Sequence, residues 1–507
     1  MTTHKKLRTI IAAMTAAGIL CAMPAGFAAE ATPTAAAQPA AQTATAAPAE
    51  TTSKPFAAVR VGKKWGAVTP SGNLAIPAEY DEISSYSADA VAVRQGKNWG
   101  IVRLDGTVIV PPYYSAIHPL EEDIIIVQNT KDMYGAYDTA GNVLLPVEYR
   151  SVTPFYDGIS RVERKDKKFV FYRRDGSLLT SDAYLWASRF SEGLAVVEPT
   201  KNKMGYIDTN GSEAIPVQFE NAMIFQEGLA PVAVKKKWGF IDKSGTMVIQ
   251  PQFRAKSIGG FSDGLAMIKE KKHWAFIDKT GAKVIQTRYE DVDSFENGLA
   301  EVRREVKVGL LGGFLTSAVS FATGIPTFGV GTDLIGEKVK RGYIDKTGAE
   351  IISTKNDYNS FFMDGVALVR VKSKWGMVDR KGAYVVEPKY KGIHFFYDDL
   401  AAVQDGDKWG FVGRDGKIVI EPKYDEVHDF TDGIAAVRQG GKSFFIDKTG
   451  RVPFLLPNNI TDIGMFRDGF APVKIGDKWG FIDKTGTVVI PPAYTEVRTH
   501  QVTTDSL

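Results

Sequence analysis

Seven tryptophans, Trp65, Trp99, Trp238, Trp274, Trp375, Trp409 and Trp479, each stand seven residues before a glycine. Exposed indole faces at a fixed repeat could stack on sugar rings. One large aromatic per repeat beside a small residue could equally form a packed ladder. The same position holds Tyr134, Phe169, Met204, Arg341 or Ser443 elsewhere, which weakens any site repeated in every unit. Three residues before the glycine an acid is common, as Asp138, Asp208, Asp242, Asp278, Asp345, Asp379, Asp447 and Asp483. Calcium loops need alternating Asp or Asn ligands, and this pattern lacks them. One carboxylate per turn reads instead as a cap on backbone N–H groups. His118, His273, His394, His428 and His500 are scattered over different repeats, in no metal spacing and beside no nucleophile signature. Glu121-Glu122 and Asp398-Asp399 are sequence neighbours; on strands they would point to opposite faces. We expect no catalytic residue, no metal and no cofactor, hence a protein that is not an enzyme.

The positioning elements follow from the glycine. It recurs as Gly72, Gly106, Gly141, Gly176, Gly211, Gly245, Gly281, Gly348, Gly382, Gly416, Gly450 and Gly486, at 34–36 residue spacing except for one gap of 67. That is twelve repeats and one insertion. In "IDKTG" the acid favours a turn and the glycine supplies positive φ for a type I turn with a bulge. A backbone requirement has fewer substitutes than a packing one, so the glycine persists where the tryptophan does not. "WGFI" before the turn and "TVVI" after it read as a β-hairpin, and "GLAPVAV" (228–234) as a third strand. Prolines such as Pro77, Pro146, Pro216 and Pro491 end the second hairpin strand. An aromatic sits eight residues after the glycine in ten repeats, from Tyr80 to Tyr494.

A unit of three short strands cannot bury its own apolar face, whereas stacked units can. The sequence therefore predicts an all-β, elongated hairpin-repeat solenoid or superhelix of about twelve 35-residue units. One or two β-propellers are the alternative; propellers usually close at four to eight four-stranded blades, so two of six would fit better than one of twelve.

The recurring "KWGFIDKTG.VVI.P.Y" with "DGLAPV" upstream resembles the WG-repeat family of bacterial proteins over roughly residues 54–498, most fully at 229–253, 366–390, 401–424 and 470–494. The resemblance implies a secreted or envelope-associated protein and no particular activity. The aromatic-glycine hairpins are also similar in style to cell-wall-binding repeats that hold choline or glucan between neighbouring hairpins, which implies a glycan or wall ligand. Phe169-Val170, Arg341 and Ser443-Phe444 depart from the pattern.

The chain has 507 residues, 44% of them hydrophobic and 24% charged. His4, Lys5, Lys6 and Arg8 precede an uncharged apolar run (9–23) and the small-residue site Gly26-Phe27-Ala28, the pattern of a secretory leader over 1–28. Leu20 before Cys21 argues against a lipid anchor. With the leader removed, the 62 basic residues of the whole chain fall to 59, against 59 acidic ones, and no cysteine remains. That balance disfavours a general nucleic-acid binder without excluding a local patch. Residues 29–53, rich in Ala, Thr, Pro and Gln, read as a disordered tether. Repeats then fill 54–304 and 339–498, with a tail at 499–507.

The insertion, 305–338, is uncharged from Val308 to Thr332, with apolar residues at helical spacing. Pro326 would limit a helix to about 309–323, short for a membrane span. Its apolar side chains, Leu310, Leu311, Phe314, Leu315, Val319 and Phe321, could cover the flank of the array, dock a partner or contact a membrane. Solenoids offer long binding surfaces. The expectation is an exported scaffold (periplasmic, cell-surface or extracellular) that binds protein or an envelope polymer. A wall-glycan binder using aromatic grooves, and a membrane-associated or assembly protein acting through 306–336, are the alternatives. Ligand identity and oligomeric state are not legible.

Overall fold

A strand such as Leu229–Val234, "LAPVAV", is apolar at successive positions rather than at alternate ones. That is the signature of a strand covered on both faces. In the computed structural model, which describes residues 57–305 and 339–499, Leu229 packs toward the following unit and Ala230 and Val232 toward the preceding one. The same holds for Phe240 and Ile241 in the next strand. Every sheet is thus the filling between two others.

Twelve antiparallel sheets repeat along the chain. Ten have four strands and two have three. A representative one, blade 6, runs in order from a two-residue strand, Asn221–Ala222, through Leu229–Val234 and Lys237–Asp242 to Met247–Phe253. The three expected strands are present. The first strand, which follows the repeat aromatic, is an addition; it has two residues in six blades but four in Glu82–Ser85 and Ile460–Ile463 and six in Ser257–Ser262, Tyr358–Met363 and Gly392–Tyr397.

The ring closes. Blade 1 takes Ala57–Val61, Lys64–Val68 and Leu74–Tyr80 as its second to fourth strands, and its first strand is Glu496–Arg498 from the far end of the chain. Val59 pairs with Val497, Thr495 N–H donates to Arg60 O at 3.0 Å, and Arg60 Nη1 meets Glu496 Oε2 at 3.0 Å. There are twelve apolar clusters, each drawn from two adjacent blades, and one joins Phe481, Ile490 and Tyr494 of blade 12 to Ala57, Val59 and Val68 of blade 1. The protein is a twelve-bladed β-propeller. The elongated solenoid expected from the repeat is not what forms, and neither are two rings of six. A solenoid would leave two terminal sheet faces in water; pairing 496–498 with 58–60 removes both.

The WG dipeptide has a geometric cause. In blade 6 Trp238 pairs with Phe253 and Phe240 with Ile249, so one residue, Gly239, faces three on the fourth strand. This wide bulge folds across the glycine: a Cβ there would stand 2.4 Å from Ile249 O and 2.9 Å from Pro251 N. Proline is tolerated in the bulge because no ladder donor is required there. Glycine occupies this position in nine repeats; the exceptions are Val170, Ala275 and Phe444. Blades 4 and 11, which carry Val170 and Phe444, are the two three-stranded sheets. In blade 7, with Ala275, the fourth strand is cut to Lys283–Gln286 and pairs without a bulge at that residue. In blade 11 Pro453 and Pro457 add a second obstacle.

The leader (1–28), the tether (29–53) and the insertion all lie outside the described residues, as does nearly all of the 499–507 tail. Strand pairing brackets the insertion as far as Glu305 and Val339. It therefore replaces one tight turn, between the second and third strands of blade 8, and leaves the ring intact. Glu121-Glu122 and Asp398-Asp399 are not on strands but in turns, with Glu122, Asp398 and Asp399 at positive φ. Their neighbouring carboxylates are therefore not split between two sheet faces.

Candidate functional site

The tryptophan row lies between blades. Trp65 is 2% exposed, in a cluster with Ile83, Val91 and Val93 of blade 2. Trp274 and Trp375 are also buried, and Trp99, Trp238, Trp409 and Trp479 are half-buried against neighbouring cores. Five of the indoles lie under a cation from the paired strand: Arg60 on Trp65, Arg94 on Trp99, Lys269 on Trp274, Arg370 on Trp375 and Lys474 on Trp479. The ring of His394 lies 5.0 Å from that of Trp409. The repeat aromatics downstream are their cross-strand partners, as in Trp65–Tyr80 and Trp479–Tyr494. Leu310, Leu311, Phe314, Leu315, Val319 and Phe321 lie outside the described residues.

The acidic turns bind backbone. Asp242 Oδ1 accepts from Ser244 N at 2.9 Å, Thr246 N at 3.0 Å and Ser244 Oγ at 2.6 Å. The hydroxyl first, then the two amides, hold this carboxyl below its ordinary range. On the same rim, the acid of the D-G or E-G turn reaches the next blade. Gly193 N donates to Asp157 at 2.8 Å, Gly228 N to Glu192 at 3.1 Å and Gly469 N to Asp432 at 2.7 Å.

The structure brings together groups one repeat apart that the sequence leaves scattered. His394 Nδ1 lies 2.8 Å from Asp429 Oδ1. Among the described residues no grouping of His, Cys, Asp and Glu could hold a metal ion, and no helix is long and apolar enough to cross a membrane.

A recess lies where the fourth segment of blade 4 keeps only the isolated bridges Tyr172–Leu178 and Phe169–Tyr184 to the third strand. It opens to solvent with a volume of about 360 Å³. Glu148 and Tyr149 of blade 3 form one wall; Arg164, Lys165 and Asp166, Val170, Tyr172 and Leu178 form the rest. Val170 stands here at the position that is glycine in most repeats. Tyr149 Oη donates to Tyr172 Oη at 3.1 Å, and burial raises the Tyr149 pKa above its ordinary value, so that phenol stays protonated at ordinary pH. Arg164 pairs with Asp166 at 3.2 Å and Lys165 with Glu148 at 3.7 Å at the lip. The notch can hold a small polar group between phenols and cations. It contains no nucleophile with an adjacent base. The "FV" in place of "WG" at 169–170 was its only advance signal.

A family model described as "WG containing repeat" matches eleven stretches, from 65–99 to 479–499, with most of the intervening chain. The chain belongs to the WG-repeat family. The matched stretches run from one tryptophan position to the next in most of the ring, the interval over which one blade hands on to its neighbour. A comparison with curated proteins found no match. Among solved structures, a eukaryotic initiation factor is 11% identical over 71% of this WG-repeat chain and 98% of its own, with a TM-score of 0.34. BamB from Moraxella catarrhalis is 12% identical over 66% and 91%, at 0.26. PorZ, titled a surface component of the type-IX secretion system of Porphyromonas gingivalis, is 9% identical over 86% and 80%, at 0.22. Similarities this low say nothing about function.

Proposed function

We propose that this WG-repeat protein is an exported, non-enzymatic scaffold that binds protein or a cell-envelope polymer through the rims of its ring. The observation that carries this reading is the division of labour in each blade. The repeated residues are spent on blade-to-blade packing and turn capping, and what varies from blade to blade is the exposed turns. The leader-like N-terminus and the tether pattern in the sequence favour export. The cation-covered indoles favour rim contacts over stacking of sugars on the tryptophan row.

Two measurements test it. The full chain expressed in its host should be recovered outside the cytoplasm with an N-terminus beginning near Glu30; a cytoplasmic, unprocessed protein refutes export. Purified protein should co-sediment with an isolated envelope fraction, and deletion of 306–336 should leave that unchanged. Failure to sediment, or loss of sedimentation on that deletion alone, overturns the rim-scaffold reading.

A further inference from the structure

We propose that the rim of blades 4–7 is a binding arc for a linear anionic glycan bearing carboxylate or phosphate on successive units, with the blade 4 notch at one end. This rests on the scaffold reading and names the class of its ligand.

The turns joining second to third strands all lie on one rim, since every blade runs in the same order. In blades 4 to 7 those turns read RKDKK (164–168), TKNK (200–203), KKK (235–237) and EKKH (270–273). All their lysines are exposed except half-buried Lys237. Two of the lysines that stand before the third strand elsewhere on this rim are neutralised. Lys64 pairs with Asp81 at 2.7 Å, and Lys408 pairs with Asp425. In the arc the residues equivalent to those acids are Leu185, Glu220, Arg254 and Glu290, and Glu220 accepts from the Lys236 backbone N–H at 2.9 Å.

Backbone conformation gives an independent argument. The tight turns of several other blades place Gly62, Gly96, Gly406, Gly440 or Gly476 at positive φ, where glycine is free of strain. In the arc the same left-handed positions hold Lys235 at +50°, Lys236 at +60° and Lys271 at +53°; outside it blade 9 has Lys372 at +49°. Lysine is disfavoured there. Charge is therefore kept where conformation alone would select glycine.

The opposite rim of the same blades presents Asp157, Glu192, Glu227 and Asp263. Glu192 and Glu227 pair there with Lys243 at 3.2 Å and Lys279 at 3.1 Å, so the acids of that rim are partly compensated while the lysine turns opposite are exposed. One cationic turn per blade, over four consecutive blades, fits a chain of evenly spaced charges better than a single anion. The turns carry no Trp, Tyr or Phe, and His273 is their single aromatic ring, too few for base stacking along the arc, which disfavours single-stranded nucleic acid. The notch, lined by two phenols and by Arg164 and Lys165 paired with Asp166 and Glu148, is a polar recess that a flat lipid surface would not fill.

The test uses the full mature chain and five probes: oligoguluronate (carboxylate), poly(glycerol phosphate), neutral dextran, duplex DNA and phosphatidylglycerol vesicles. Binding of at least one anionic glycan is expected, weakening steeply with added salt as counterions are released. The triple reversal K235E/K236E/K237E should weaken it at least tenfold with the melting midpoint unchanged. K442E, in the equivalent turn of blade 11, should change it less than twofold. No binding of either anionic polymer at low salt overturns the proposal, as does equal loss in K442E or stronger binding of DNA or vesicles. Envelope sedimentation that survives the triple reversal leaves the scaffold standing and removes this ligand class. Wild-type protein that sediments with no envelope fraction removes the scaffold itself.

Discussion

At the residue scale, two glycines per repeat answer to different constraints. The glycine after the tryptophan lies under a bulge, and its substitution should act on the fourth strand. Gly239→Val in blade 6 should cost about 1–3 kcal/mol, the usual range for overpacking. Denaturant unfolding measures this, with faster amide exchange at 247–253 than at 229–234. Exchange rising equally in all three strands would contradict the assigned mechanism. The turn-closing glycine has a second duty that its turn alone does not reveal. A Cβ on Gly106 would stand 2.5 Å from Ala75 O, and one on Gly382 2.6 Å from Ile351 O, both in the preceding blade. Positive φ and contact between blades act on one atom, which explains its persistence in all twelve repeats.

The turn aspartates set a pH dependence at the same scale. Asp242, Asp278, Asp345, Asp447 and Asp483 all have depressed pKa values, caused first by a neighbouring Ser or Thr hydroxyl. A depressed folded-state value means the contribution is complete above the unfolded value near about 3.9 and is lost as pH falls through the folded one. The melting midpoint should therefore be flat between about pH 5 and 7 and fall below about pH 4. Replacing these five aspartates by asparagine should flatten the acid limb; an acid limb of unchanged depth would place the titration elsewhere.

At the element scale, blades are joined by apolar faces and, on one rim, by carboxylates reaching the next blade's glycine amide. Asp432→Ala removes the 2.7 Å bond to Gly469 N and should cost about 1 kcal/mol. Asp432→Asn keeps an acceptor and should recover part of that loss. Equal destabilisation by both variants would show that charge, not the hydrogen bond, is what matters. The hairpins were legible because turn chemistry and strand composition are local. The two-residue first strands were not, since so short a segment has no period to detect. The missing fourth strands of blades 4 and 11 could have been inferred from Val170 and Phe444 only with knowledge of what crosses the glycine.

At the scale of the whole molecule, closure depends on three residues. Truncation after Thr495 deletes the first strand of blade 1 and the Arg60–Glu496 pair. The melting midpoint should drop by several degrees and amide protection at 57–61 should fall, with solution scattering reporting an opened, larger particle. Retained protection would mean that face packing of blade 12 on blade 1 closes the ring unaided. The scattered histidines and the blade 4 notch also belong to this scale, because His394 meets Asp429, and Tyr149 meets Tyr172, only across a blade boundary.

The sequence by itself determined the repeat, its strands, its glycine-closed turns and the need for units to pack on each other, because each follows from φ preferences and apolar runs a few residues long. Whether the stack stays open or closes was decided by tertiary structure. A small change in rotation from blade to blade accumulates over twelve units, and nothing in a 35-residue period encodes the sum. The repeat specifies each step, and only where the last step lands beside the first does residue 497 become a neighbour of residue 59.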